Sequence, residues 1–215
     1  MPMTTSPAPR RRGRPPLEPA DQAARQALIR AGLRHLTEFG YGAAALDQIL
    51  AAAGVTKGSF YHHFPSKAAF GAALIEAYGA YFRSLLARSL ERGDLLPLDR
   101  LAAFAAEVEA GMAAHDYRRG CLVGNLGQEV TALPGDFRER LQAVLALWQQ
   151  DTARCLRAAQ EAGQIDPCED PEALAALFWI GWEGAVMRAR LDHGPAPLRL
   201  FIAAFLRLVT RKEPS

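Results

Sequence analysis

The chain has 215 residues, half of them hydrophobic, and a formal net charge of +2. This length allows one large or two small domains with a buried core, and the prevalence of Ala and Leu over Gly and Pro favours a helical protein over a β-sandwich or barrel. The three cysteines are widely spaced, without a CxxC pair or histidines at zinc spacing, which argues against a disulfide framework and a structural metal site.

The charge is unevenly distributed along the chain. Residues 1–67 hold nine basic and four acidic residues, a net charge of +5, whereas residues 68–215 hold sixteen basic and nineteen acidic residues, a net charge of −3. A basic N-terminal third predicts contact with nucleic acid in that part only. No apolar segment follows the basic N-terminus, and Glu183 interrupts the most apolar late stretch, so we predict a cytoplasmic protein without signal peptide or membrane span.

Residues 1–19 are rich in Pro, Ser, Thr and Arg and are predicted to form a disordered basic arm. Within it, the segment Arg12-Gly13-Arg14-Pro15 resembles an AT-hook, in which arginines lie in a narrow minor groove. Arg12 and Arg14 are therefore candidate DNA contacts. The alternative is a basic tail that only keeps the protein soluble.

The next stretch has the spacing of a helix-turn-helix unit. Apolar or small residues recur with helical periodicity between Asp21 and Phe39, and Gly40 then ends the first helix. A second short helix precedes a turn at Gly54, and Thr56 is a good N-cap for a third helix.

The third helix carries small, hydrogen-bonding and cationic side chains, which suit phosphates and base edges. The candidate DNA contacts here are Thr56, Lys57, Gly58, Ser59, Tyr61 and His62, with Lys67 just beyond the helix. Gly58 destabilises a helix by ~1 kcal/mol relative to Ala, which makes sense if a side chain there would hold the backbone away from DNA. The alternative is a polar surface helix without a partner.

The segment GVTKGSFYHHFPSK, residues 54–67, resembles the signature of the TetR family of bacterial repressors. The resemblance implies an all-α fold of about nine helices, with a three-helix DNA-binding domain over residues 20–66 and a C-terminal helical bundle for ligand binding and dimerisation over residues 67–215. It implies phosphate contacts by Lys57, Tyr61, His62 and Lys67, and places Thr56, Gly58 and Ser59 nearest the bases. Ala44 and Ala45 depart from the pattern, since many relatives have a phosphate-contacting Ser or Thr there.

Beyond Ser66, periodicity predicts a long fourth helix and further bundle helices. The stretch RRGCLVGNLGQE, residues 118–129, interrupts them with three glycines and favours a pocket wall over close backbone packing. In the family the last two helices pair across a twofold axis, and Gly181 and Gly184 would permit close approach. The alternative is that these helices bury each other within one subunit.

The segments RRGCLVGNLGQE and FWIGWEGAVMRARL resemble a subgroup of TetR-type repressors that respond to acrylate. The resemblance implies a small unsaturated carboxylate as the effector, whose binding releases operator DNA from a homodimer. A desolvated carboxylate needs a cation or several donors. The candidate ligand-binding residues are Tyr78, Arg118, Arg119, Cys121, Asn125, Gln128, Trp148, Trp182, Glu183 and Arg188.

Two alternative functions follow from the residues. Cys121 lies near a predicted helix start after two arginines, features that favour a thiolate, so the protein could sense electrophiles or redox state through modification of Cys121; a small buried cysteine is the simpler interpretation. The second alternative is a DNA-bound architectural or regulatory protein without small-molecule control.

No nucleotide-binding loop, HExxH motif or nucleophile elbow occurs, so we predict no enzyme activity, catalytic residue, cofactor or metal.

Overall fold

The structure has the helical class that the composition predicts. The computed structural model describes residues 19–42 and 46–211, and every regular element within those ranges is helical. The nine α-helices there are α1 Pro19–Phe39, α2 Leu46–Ala53, α3 Lys57–His63, α4 Lys67–Leu90, α5 Pro97–Ala113, α6 Leu122–Gln128, α7 Phe137–Glu161, α8 Pro171–Leu191 and α9 Ala196–Val209, with a 3-10 turn at Val130–Ala132. The arm with Arg12 and Arg14, and the departure at Ala44 and Ala45, lie outside the described residues.

Helices α1 to α3 form a small unit, here called the reading head, around the buried side chains of Leu28, Leu36 and Phe60. Gly40 ends α1 with a φ of 80°, and Gly54 turns the chain between α2 and α3 with a φ of 65°. Left-handed backbone of this kind favours glycine. The two helix ends predicted from the sequence are confirmed.

Side-chain caps set where α3 and α4 begin. The Thr56 hydroxyl accepts a hydrogen bond from the backbone N–H of Ser59 at 3.3 Å, and the Ser66 hydroxyl accepts one from the N–H of Ala69 at 3.0 Å. Each cap satisfies a backbone donor that the first helical turn would leave free. The caps and the buried Phe60 together fix the direction in which α3 leaves the turn.

An aromatic core holds the bundle together. Trp148 of α7 and Trp179 of α8 are fully buried, with their ring centroids 5.0 Å apart. Phe82 of α4 lies 4.4 Å from the Trp148 ring, and Phe104 of α5 lies 5.5 Å from Trp182. Because rings of this size each bury ~150–250 Å², this cluster is what packs α4, α5, α7 and α8 on one another.

Helices α8 and α9 leave an apolar face uncovered, here called the α8–α9 face. Its large side chains, between 41% and 74% exposed, are Leu177, Ile180, Met187, Leu191, Leu200 and Leu208. Gly181 lies so close to the Phe201 ring that a Cβ would overlap it, whereas a Cβ at Gly184 would meet nothing. Gly181 therefore serves packing within the chain, and Gly184 stays open. No described helix is long and apolar enough to cross a bilayer.

Candidate functional site

The outer side of α3 is accessible. Thr56, Lys57, Gly58, Tyr61 and His62 are exposed, and only the anchoring rings of this segment, Phe60 and Phe64, are buried. Ser59 and Lys67 are half-buried. The side chains predicted to contact DNA therefore lie on one short helix and at the start of the next, with their polar groups directed away from the core.

Gly58 has no packing role inside the described chain. A Cβ at this position would meet only the Thr56 hydroxyl oxygen, at 4.0 Å. The fold therefore has room for alanine, which is a better helix former. Packing among the described residues therefore does not require glycine at position 58. Close approach of the backbone to a binding partner would explain its presence.

Two of the predicted contacts also have partners within the chain. His62 Nε2 lies 3.6 Å from the carboxylate of Asp21 on α1, and Lys67 Nζ lies 4.8 Å from the centroid of the Tyr41 ring. Both pairs are partly exposed, so they contribute little stability in water and leave both side chains accessible.

A cavity of about 620 Å³, here called the main cavity, lies where α1, α4, α5 and α8 meet the segment before α6. Five of the ten predicted ligand-binding residues line it: Tyr78, Arg119, Cys121, Trp182 and Glu183. Apolar side chains such as Leu33, Phe82 and Val186 form much of the remaining wall. A few polar groups in an apolar wall are typical of a small-molecule site.

Five charged or titratable residues of the main cavity were missed in the sequence: Arg30, Arg34, Tyr81, Glu107 and His115. Arg30 and Arg34 stand four residues apart on α1, so they share a helix face. The four-residue spacing is visible in the sequence, but the residues around it do not show that this helix face meets a cavity. Glu107 is already paired, since it accepts hydrogen bonds from Arg88 at 2.7 Å and Ser89 at 2.8 Å.

Cys121 caps α6 as its position suggests, but its thiol is not activated. The arginines before it lie beside another group, since the Nε atoms of Arg118 and Arg119 are each 3.8 Å from the Glu38 carboxylate. Burial, and then the nearby charge of Glu183, raises the pKa of the Cys121 thiol well above its ordinary value. Burial therefore opposes the thiolate that the arginines and the helix start favour, and the structure agrees with the simpler interpretation of a small buried cysteine.

Glu183 is the acidic group at the inner end of the main cavity. Its Oε1 is buried and has no hydrogen-bond partner among the described residues, and its Oε2 lies over Gly124 so closely that a Cβ there would overlap it. The nearest titratable groups are Cys121 and Tyr78, and burial raises the pKa of that tyrosine as well. Burial raises the pKa of Glu183 to about 7.

A smaller cavity of about 220 Å³, the side cavity, shares Cys121 and Glu183 with the main cavity. Asn125 and Gln128, two further predicted ligand-binding residues, line this side cavity together with Arg190. The glycine-interrupted segment is therefore part of a pocket wall, with Gly124 and Gly127 in the lining. Close packing also applies, since a Cβ at Gly120 or Gly124 would overlap the side chain of Arg190 or Glu183.

Three side chains hold the end of α1 and are here called the clamp: Asn125, Glu129 and Arg190. The Asn125 amide donates to the Leu36 and Thr37 carbonyls at 3.2 and 3.0 Å. Arg190 donates to the Glu38 carbonyl and to the Asn125 side-chain oxygen, both at 2.9 Å. The Glu129 carboxylate accepts from the backbone N–H groups of Tyr41 and Gly42 at 3.1 and 2.7 Å. The Arg190 and Glu129 bonds satisfy backbone groups that the helix end would otherwise leave free, whereas the two carbonyls held by Asn125 also accept from backbone N–H groups.

Three of the predicted ligand-binding residues, Arg118, Trp148 and Arg188, line neither the main cavity nor the side cavity. Trp148 is fully buried in the aromatic core, and its indole N–H has no partner among the described residues. Arg118 is exposed beside Glu38. Arg188 is exposed on α8, where it lies 3.4 Å from Asp192.

Two family models match the chain. Residues 28–74 match the model described as bacterial regulatory proteins, tetR family, and residues 97–205 match the tetracyclin repressor-like C-terminal domain. The first match covers most of the reading head and the start of α4, and the second runs from α5 into α9.

The chain is similar over nearly its whole length to proteins named as transcriptional regulators. It is 54% identical to the transcriptional regulator AcuR of Cereibacter sphaeroides, covering 99% of this chain and all of AcuR. It is 32% identical to the transcriptional repressor DhaR of a Mycobacterium species, over 83% of this chain and 88% of DhaR. The crystal structure of regulatory protein TetR from Rhodobacter sphaeroides, 56% identical, superimposes with a TM-score of 0.85 over 87% of this chain and 99% of that one.

Proposed function

This chain belongs to the TetR family of bacterial transcriptional regulators, and we propose that it is a repressor that binds a palindromic operator as a homodimer and leaves it when a small effector binds. The proposed effector is acrylate or a related small unsaturated carboxylate. The proposed domains are a basic arm over residues 1–19, a DNA-binding domain over residues 20–66, and a ligand-binding and dimerisation domain over residues 67–215.

The accessible side of α3 supports the DNA contact. Phosphate contacts are assigned to Lys57, Tyr61, His62 and Lys67, base contacts to Thr56, Gly58 and Ser59, and a minor-groove contact to Arg12 and Arg14. Phosphate contacts release counterions from DNA, so operator binding should weaken steeply as salt is added.

The uncovered α8–α9 face supports the homodimer. Six of the eleven exposed large hydrophobic side chains among the described residues lie on this face, and such a concentration marks an interaction site. A twofold pair places two reading heads on one face of the duplex, which matches half-sites about one helical turn apart, or a multiple of it.

The single observation that carries the effector proposal is that the reading head forms part of the main cavity wall. Leu33, Arg34 and Thr37 of α1 line the cavity together with Glu183 of α8. A ligand there contacts the reading head and the bundle at once, so its binding and the position of the head are energetically linked. Cavities of about 300–1,000 Å³ hold drug-sized ligands, so unsaturated acids longer than acrylate belong in the test.

The clamp supports a route by which the effector acts. Asn125 and Arg190 hold the last carbonyls of α1 and also line the side cavity, beside Cys121 and Glu183. A ligand that shifts Glu183 therefore shifts neighbours that hold the reading head. Displacing the end of α1 changes the spacing of two recognition helices in a dimer, and operator affinity falls.

The main cavity argues against an architectural protein without small-molecule control, because that alternative needs no cavity of this size. Sensing through Cys121 is the second proposal, favoured by the position of the thiol in the walls of both cavities. Addition of the thiol across the double bond of acrylate would raise the intact mass by one acrylate. DNA release without that mass increase would remove the covalent proposal.

The proposed function is tested on the promoter upstream of the protein's own operon. Fluorescence anisotropy of the labelled fragment should show tight binding that acrylate or a longer 2-enoic acid reverses, whereas acetate should not reverse it. Binding that none of these acids alters would contradict effector control, and absence of binding at low salt would contradict the repressor itself.

A further inference from the structure

Glu183 has one carboxylate oxygen, Oε1, that is buried without a hydrogen-bond partner among the described residues, while burial raises the pKa of the carboxyl more than the Cys121 thiol beside it lowers that pKa. The residue as a whole is only half-buried and lines both cavities. The absence of a side chain at Gly124 makes room for its Oε2. An unpaired buried polar atom is unfavourable unless a ligand supplies the missing bond.

The cations near Glu183 are engaged elsewhere. Arg119 lies beside Glu38 and 3.0 Å from the His115 ring nitrogen, and Arg190 holds the clamp. Arg30 and Arg34 are exposed. The charged form of Glu183 therefore lacks a counterion in a desolvated position, which agrees with the rise of its pKa to about 7.

We propose that Glu183 binds the effector as a neutral acid, donating its carboxyl O–H to the effector carboxylate, so that effector binding takes up one proton. This inference rests on the proposed function, in which the effector is a carboxylate. Two carboxylates at hydrogen-bond distance cannot both stay ionised in an apolar site. The proton comes from solvent, and no covalent bond changes.

The carboxylate binds at Glu183 rather than at the arginines of α1 because of the difference in burial. An ion pair with exposed Arg30 or Arg34 gains little in water. A hydrogen bond to buried Oε1 removes an unsatisfied polar atom as well as forming a new contact. The site therefore selects a monocarboxylic acid whose apolar part lies against Trp182 and Val186.

Other titratable or charged groups face Glu183 across the cavities. They are Tyr78 and Tyr81 of α4, Glu107 of α5, His115, Arg119 and Cys121 before α6, Arg30 and Arg34 of α1, and Arg190 of α8. On the helices packed against α8, Asp151 of α7 pairs with Arg83 and Arg154, and Arg199 of α9 pairs with Glu109; none of these lines either cavity. Histidine is the side chain that changes charge near neutral pH, so His115→Asn tests whether this residue of the main cavity wall, rather than Glu183, carries the pH dependence.

Isothermal titration of the full-length protein with acrylate, or with the longer 2-enoic acid that binds best, measures the proton directly. At pH 8, the heats in phosphate and Tris buffers should differ by the amount expected for uptake approaching one proton per acid bound. Because free Glu183 is protonated below its pKa and the effector is ionised only above its own carboxyl pKa, affinity should be highest and nearly constant between those two pKa values. Above pH 7 it should fall by about tenfold per pH unit.

Glu183→Gln should bind the acid without proton uptake and without pH dependence, since the amide donates at every pH, whereas His115→Asn should keep the proton uptake and the pH slope of wild type. Wild-type binding with equal heats in both buffers and a flat pH profile would overturn the proposal alone. A Glu183→Gln protein that keeps the wild-type pH slope would also overturn it. So would a result in which Arg119→Gln no longer binds the acid while Glu183→Gln binds it with the affinity and proton uptake of wild type. If wild type bound none of the acids, the proposed function would fail, and this inference with it.

Discussion

Lys57 and Ser59 are neighbours on α3 that should act differently on DNA. The Lys57 ammonium group is a point charge that attracts phosphates without distinguishing bases. Lys57→Ala should therefore weaken binding to every sequence alike and reduce the slope of log affinity against log salt concentration by about one unit. Ser59 offers a donor and an acceptor toward base edges, so Ser59→Ala should change the ranking of operator variants.

Anisotropy titrations at several salt concentrations with a set of operator variants separate these two effects. Arg138→Ala removes the same charge from an exposed position on α7 and should leave the salt slope unchanged. A Lys57→Ala protein that keeps its salt slope but changes its sequence preference would contradict the assignment of roles.

Replacing Gly58 should affect folding stability and operator affinity in opposite directions. Gly58→Ala should stabilise the protein by roughly 1 kcal/mol, because alanine is the better helix former and its Cβ meets no packed group in the described chain. The same change should weaken operator binding by holding the backbone away from the duplex. Chemical denaturation and anisotropy measure the two effects.

Gly127→Ala on α6 is the control for Gly58→Ala, because a Cβ there also meets nothing within the described residues. It should leave operator affinity at the wild-type value. If Gly58→Ala bound the operator as tightly as wild type, close backbone approach at α3 would be refuted.

At the scale of whole helices, the sequence predicts the elements better than their contacts. The ends of α1 and α3 follow from Gly40 and Thr56, which are local signals, and both are confirmed. The clamp has no local signal, since Asn125 lies 89 residues from Leu36 and Arg190 lies 152 residues from Glu38. Periodicity shows which residues share a helix face, but it does not show which helix that face meets.

The same limit explains the candidate ligand-binding residues. Cys121 is at the start of a helix as predicted, yet the direction of its pKa shift depends on burial, a property of the packed bundle. Trp148 and Trp182 have the same chemistry in the sequence, but the structure puts the first in the core and the second in the cavity wall.

Arg190 should couple effector binding to DNA release without binding the effector itself. Arg190→Gln removes its hydrogen bonds to Glu38 and Asn125, so the end of α1 should no longer follow the cavity. We expect effector affinity within about twofold of wild type, and a loss of most of the typical five- to 150-fold coupling.

Effector titrations with and without operator measure the coupling in Arg190→Gln. Arg188→Gln, two residues earlier on α8, removes an exposed arginine paired only with Asp192 among the described residues, and should keep full coupling. Undiminished coupling in Arg190→Gln would show that release follows another route.

At the scale of the whole molecule, operator binding should depend on the α8–α9 face. Ile180→Asp places a charge on a side chain that is 74% exposed in the single chain, so it should leave the fold intact and prevent dimer formation. Operator affinity should then fall sharply, because one reading head holds only one half-site.

Sedimentation velocity and circular dichroism measure assembly and folding of Ile180→Asp separately. Leu96→Asp is the control, since Leu96 is 59% exposed and lies before α5, away from the α8–α9 face. A dimeric Ile180→Asp protein with wild-type operator affinity would exclude this face as the interface.

The central claim is that effector and operator bind the same molecule with opposing effects. The most direct test is a complete thermodynamic cycle, in which operator affinity is measured with and without saturating effector, and effector affinity with and without operator. We predict that each ligand weakens the other by the same factor, as linkage requires. Equal effector affinity for the free and operator-bound protein would contradict the account, however tightly either ligand binds.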